Sequence, residues 1–115
     1  MKLVTRQSPL SIEDLRQLAS ARFGSLVKGV VDLDRGVMLV GAELHADEEA
    51  ELLATGSRQQ DLWGINLYPE LPDDEWIEFD SMINLRPSQG NHSRSVDDPA
   101  IRERIGALVR QLARR

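Results

Sequence analysis

Cysteine is absent from the 115 residues. Its absence excludes a disulfide framework, a thiolate nucleophile and a cysteine-based zinc site, and it suits a reducing compartment. No stretch approaches the roughly 20 apolar residues of a membrane span. Met1-Lys2-Leu3-Val4-Thr5-Arg6 is charged before a run of signal-peptide length develops. The chain is therefore expected to be cytoplasmic and without a membrane partner. Catalytic signatures are also missing: there is no Gly-x-Ser-x-Gly elbow, and Ser88-Gln89-Gly90 has one glycine where phosphate-wrapping loops need several. No cofactor is expected, and the sequence leaves open whether the protein is an enzyme.

Excess positive charge is lacking too. The formal net charge of −5 disfavours non-specific attraction to nucleic acid. The charge is uneven, however: Glu43 to Asp80 carries twelve acidic residues against Arg58 alone, whereas Arg86 to Arg115 carries seven arginines against Asp97, Asp98 and Glu103. Either the halves neutralise each other within one fold or a basic C-terminal surface meets an anionic partner.

The length suits a single domain, 1–115, with one core. Lys2-Leu3-Val4-Thr5 reads as a short strand. Ser11, with Asp14 three residues on, caps a helix whose apolar positions are Ile12, Leu15, Ala19 and Phe23 and which stops at Gly24. Two β-branched-rich runs, 26–33 and 37–44, flank Asp34-Arg35-Gly36, a three-residue hairpin loop in which Gly36 supplies the positive φ. Continued alternation puts Glu43 and His45 on one face of that second strand. Asp47 to Ala54 reads as a short helix with an acidic first turn, and Leu62 to Tyr68 as a strand with Trp63, Ile65 and Leu67 on one face. Trp76 to Leu85 reads as a last strand, with Ile77, Phe79, Ser81, Ile83 and Leu85 inward. Asp98-Pro99 opens a terminal helix with Ile101, Ile105, Leu108 and Leu112 at helical spacing, and Arg110, Arg114 and Arg115 suit its C-terminal dipole. The order β-α-β-β-α-β-β-α predicts an α+β fold, a mainly antiparallel sheet of four to five strands with helices packed on it. Its first six elements follow the order of the split βαβ, ferredoxin-like arrangement, although element order alone does not fix strand order.

The polar residues suggest two sites. Arg86, Ser88, Gln89, Asn91, His92 and Arg94 bring two guanidinium forks and neutral donors next to Gly90, a set suited to a phosphate or carboxylate. Glu78 or Asp80 on the preceding strand is the competing internal partner. A weaker alternative gathers Glu43, His45, Glu78 and Asp80 on one side of the sheet around Mg²⁺ or Mn²⁺.

Gly41-Ala42-Glu43-Leu44-His45-Ala46-Asp47-Glu48-Glu49, Leu62 to Pro69 and Phe79 to Asn91 together resemble a small bacterial family, also seen in cyanobacteria, catalogued as a domain of unknown function. The resemblance implies a compact single-domain protein and carries no assigned activity, cofactor or catalytic residue. The reading adopted is a non-catalytic binding or interaction module whose 86–94 loop takes an anionic group, with self-association or a small anionic ligand as its partner. The alternative is a small metal-assisted phosphoester-acting or nucleotide-handling enzyme.

Overall fold

The computed structural model describes residues 1–114. In chain order the elements are β1 (Lys2–Val4), β2 (Leu10–Ser11), α1 (Ile12–Ala21), β3 (Val27–Asp32), β4 (Val37–Val40), α2 (His45–Ala54), β5 (Leu62–Leu67), β6 (Ile77–Glu78), α3 (Pro99–Leu112) and β7 (Ala113–Arg114). The expected α+β architecture is present. A five-stranded antiparallel sheet runs β1-β4-β3-β5-β6, and β2 pairs with β7 in parallel as a separate two-stranded ribbon. Arg114 lies in that ribbon rather than in the last helical turn, which holds Arg110. Arg115 lies outside the described residues.

Local chemistry sets most boundaries. Ser11 Oγ accepts from Asp14 N at 3.0 Å and Asp14 Oδ2 accepts from Ser11 N at 3.1 Å, the reciprocal box that starts α1. Asp98 accepts from Ala100 N and Pro99 fills the first turn of α3. Gly36, at φ +67°, closes the β3–β4 hairpin, and buried Asp32 Oδ1 accepts from the backbone of Asp34 and Arg35 inside it.

Strand order departs from the ferredoxin-like arrangement. β1-α1-β3 is a split unit with β4 inserted, as that arrangement has it, but β5 lies beside β3 and not beside β1. Both helical crossovers therefore step two places in the same direction along the sheet, from strands that run opposite ways. Right-handed crossings then put α1 and α2 on opposite faces. The buried clusters agree. Val4, Leu15, Val31, Met38, Ile65 and Ile105 belong to a large core on the side of α1 and α3, whereas Val30, Leu39, Leu52 and Leu62 form a smaller one under α2.

Two expected strands end early. β4 stops at Val40 because Gly41 takes φ +93°, so Glu43 is off the strand and His45 opens α2. The ten-residue strand from Trp76 to Leu85 is only Ile77–Glu78. Ser81 Oγ accepts from Ile83 N and starts a 3-10 turn over Met82–Asn84, which sends Ile83 to the smaller core and leaves Leu85 exposed.

Beyond β6 the outer edge of β5 is met by side chains. Asn84 Oδ1 accepts from Gly64 N at 2.8 Å and its Nδ2 donates to Gly64 O at 2.9 Å, so one carboxamide satisfies both backbone groups of Gly64. Two residues back, Arg86 Nη2 donates to Leu62 O at 2.7 Å.

Candidate functional site

Register places Lys28 opposite Asn66 and Asn66 opposite Glu78, a polar row across β3, β5 and β6 on the α2 side of the sheet. Above it lies a cleft of about 500 Å³ between the first residues of α2 and the 78–83 segment. Lys28, His45, Asn66, Tyr68, Glu78, Asp80 and Arg94 supply its polar lining. Phe23, Leu44 and Met82, all exposed, supply an apolar rim.

Both cleft carboxylates are already engaged. Glu78 Oε1 accepts from Asn66 Nδ2 at 2.9 Å and from Tyr68 Oη at 3.1 Å, and Asp80 Oδ1 accepts from Arg94 Nε at 2.8 Å. Burial and the bond to Glu78 raise the Tyr68 phenol, keeping it a donor. Lys28 Nζ rests 5.4 Å from the centre of the Phe23 ring and makes no salt bridge among the described residues. His45 Nε2 lies 2.8 Å from Ile65 O; a carbonyl only accepts, so that nitrogen carries the proton. Burial lowers the His45 pKa and leaves the ring neutral at pH 7, with Lys28 adding to the shift. Leu44, the residue that caps α2, offers no side-chain acceptor to the helix's first N–H groups.

The residues of the 86–94 loop go elsewhere. Arg86 is buried: its Nη1 donates to Gln59 O, its Nη2 to Leu62 O, and its guanidinium stacks 4.2 Å from the centre of the Trp63 ring. Burial lowers its pKa, and the Glu49 carboxylate opposes that shift. Asn91 is also buried, its Nδ2 donating to the carbonyls of Asn84, Ser93 and Ser95 while its Oδ1 accepts from Asp97 N. Gln89 Nε2 donates to Gln60 O, and Ser88 and His92 are exposed. The two guanidinium groups therefore meet different protein partners, backbone carbonyls for Arg86 and the Asp80 carboxylate for Arg94. Arg86 braces the backbone at the start of β5, and Arg94 is the residue of the loop that reaches the cleft.

The four residues of the metal alternative are divided. His45, Glu78 and Asp80 line the cleft just described, whereas Glu43 lines another beside Met1 and Arg22. Among the described residues no group of three or more histidine or acidic side chains is placed to hold an ion.

One buried carboxyl escaped the sequence reading. Glu48, one turn after His45 on α2, has no exposed surface; its Oε2 accepts from Ala42 N at 3.0 Å and its Oε1 has no partner among the described residues. Desolvation outweighs the Ala42 bond and pushes its pKa up to about 9. Lys28 and Asn66 were missed as well, although the inward face Trp63, Ile65 and Leu67 already implied that Asn66 points the other way.

A family model described as "Protein of unknown function (DUF5674)" matches residues 3–112. The chain belongs to the DUF5674 family. No curated protein and no solved structure matches it. The DUF5674 match runs from β1 through α3, so both walls of the cleft and the whole 86–94 loop lie inside the family domain.

Proposed function

We propose that this DUF5674 domain is a non-catalytic binding module and that its cleft takes a small organic anion, a carboxylate or phosphate carried on an apolar body. Lys28 is the observation that carries the reading. Its ammonium lies in the recess without a salt bridge among the described residues, while Glu78 is held by the neutral donors Asn66 and Tyr68 and Asp80 by Arg94, so Lys28 can meet an anionic group directly. The N-terminus of α2 adds the positive end of a helix dipole and first-turn N–H groups that no side chain caps. The volume falls within the range of small-molecule sites, and Phe23, Leu44 and Met82 offer apolar contact at the mouth. Arg94 is the member of the expected anion loop that this reading retains.

Titration of ¹⁵N-labelled protein with acetate, inorganic phosphate and 4-methylpentanoate tests it. Amide shifts are expected at Lys28, His45, Ala46 and Asn66, and their loss in Lys28→Met. Shifts confined to Gln89 through Arg94 would return the site to the loop. No shift anywhere at millimolar anion would end the proposal.

A further inference from the structure

We infer that the ligand bears an ammonium group beside its acid, so that the cleft receives an apolar α-amino acid. This rests on the anion reading above and adds a second recognition element. It starts from Asn66, which is 7% exposed and whose Oδ1 accepts no well-formed hydrogen bond among the described residues, the His45 ring being only a weak neighbour. The amide orientation is fixed by its other end: Nδ2 donates to Glu78 Oε1 at 2.9 Å and to Asp80 O at 3.1 Å, and turning the group over would set oxygen against two acceptors. A buried acceptor left without a donor is costly, and Asn66 lines the cleft.

Two more acceptor atoms belong to residues that line the same cleft. Glu78 uses only Oε1 in its bonds to Asn66 and Tyr68, and Asp80 uses only Oδ1 toward Arg94, so Glu78 Oε2 and Asp80 Oδ2 have no bond among the described residues. An ammonium has three donors and no acceptor, matching an amide oxygen and two carboxylate oxygens. A simple carboxylate or phosphate leaves all three unmet. In the row Lys28–Asn66–Glu78 the shortest side chain stands between two long ones of opposite charge. A zwitterion seated over Asn66 therefore meets cation on one side and anion on the other, and its side chain emerges toward Phe23, Leu44 and Met82.

Calorimetry on the full chain separates the two readings, with leucine, its deaminated form 4-methylpentanoate and its decarboxylated form isopentylamine as probes, and phenylalanine against 3-phenylpropanoate as a second series. Each amino acid is expected to bind at least about tenfold tighter than its deaminated form, the worth of a hydrogen bond to a charged group. Glu78→Gln, at an exposed position, removes a carboxylate from beside the ligand, so it should shrink that advantage and bind 4-methylpentanoate at least as tightly as the wild type, and Lys28→Met should weaken both acids. Equal affinity for leucine and 4-methylpentanoate, both lost in Lys28→Met, would overturn the ammonium inference and leave the anion reading standing. Isopentylamine binding as tightly as leucine, with Lys28→Met silent, would overturn the anion reading, and the inference built on it would fall too. No heat from any probe would overturn both.

Discussion

Replacing Glu48 by glutamine should change how stability depends on pH. The carboxyl titrates near 4.5 in the unfolded chain and near 9 in the folded one. Between those values the folded state holds a proton that the unfolded state has released, so stability falls as pH rises, by about 1.4 kcal/mol per unit. From pH 6.5 to 8.5 the wild-type protein should lose about 3 kcal/mol, a large share of the total for a domain of this size. That corresponds to a fall of roughly 10 °C in melting temperature. Burial of the side chain is complete, so solvent screening does not reduce the effect. Glutamine keeps the shape and can accept from Ala42 N through its amide oxygen, but it has no proton to lose in this range. The variant's melting temperature should therefore stay nearly level over the same interval. His45 does not confuse the test: its pKa is depressed from 6.5, so it destabilises the fold only as pH falls below that value. Scanning calorimetry at half-unit steps reads the slopes directly. Parallel curves for wild type and Glu48→Gln, or a wild-type curve that is flat, would refute the account of Glu48 as a carboxyl kept neutral by burial.

Arg86→Ala removes two bonds to carbonyls and the stack on Trp63, and should cost about 2–4 kcal/mol in urea melts; Arg86→Lys should recover little, since the fork and not the charge makes the contacts. A loss below half a kilocalorie would mean the guanidinium is dispensable. Gly64→Ala would set a Cβ 2.5 Å from Ser81 Cβ and Oγ and 3.1 Å from Ile83, so the 81–83 segment must move, at about 1–3 kcal/mol. A melt unchanged from wild type would show that this segment yields freely. A chain ending at Val96 loses Ile105, Leu108, Val109 and Leu112 from the larger core, each worth roughly 1.5–3 kcal/mol, and should show no cooperative transition. A melt within a few degrees of the full chain would contradict that.

What the sequence displayed was chemistry between near neighbours. Ser11 with Asp14, Asp98 with Pro99, and Gly36 in its hairpin each involve residues at most three apart; the two caps sit as expected and Gly36 takes its positive φ, although the loop is the four residues 33–36 and not three. Alternation misled where a single residue interrupts it. Apolar and polar residues still alternate past Gly41, and Ile83 and Leu85 keep the two-residue spacing of Ile77 and Phe79, but a positive φ ends one strand and the Ser81 hydroxyl turns the other. Arg86 was legible as a residue needing partners. Its partners are carbonyls of Gln59 and Leu62, and backbone acceptors look the same at every position of a sequence. The cleft was harder still, because Lys28 and Asn66 are neighbours only through the register of β3 against β5, two strands separated in the chain by β4 and α2.

The way β5 finishes its outer edge bears on what the molecule can join. A strand added at a sheet margin satisfies one row of amides and presents another, so the margin moves outward without disappearing. The carboxamide of Asn84 and the guanidinium of Arg86 satisfy Gly64 and Leu62 and offer no backbone row of their own. Growth of the sheet by another copy stops there, at the expense of two side chains rather than a further strand. It also follows that the block is genetically fragile: loss of Asn84 alone would uncover both polar groups of Gly64 and turn a closed margin into a template for a neighbouring chain.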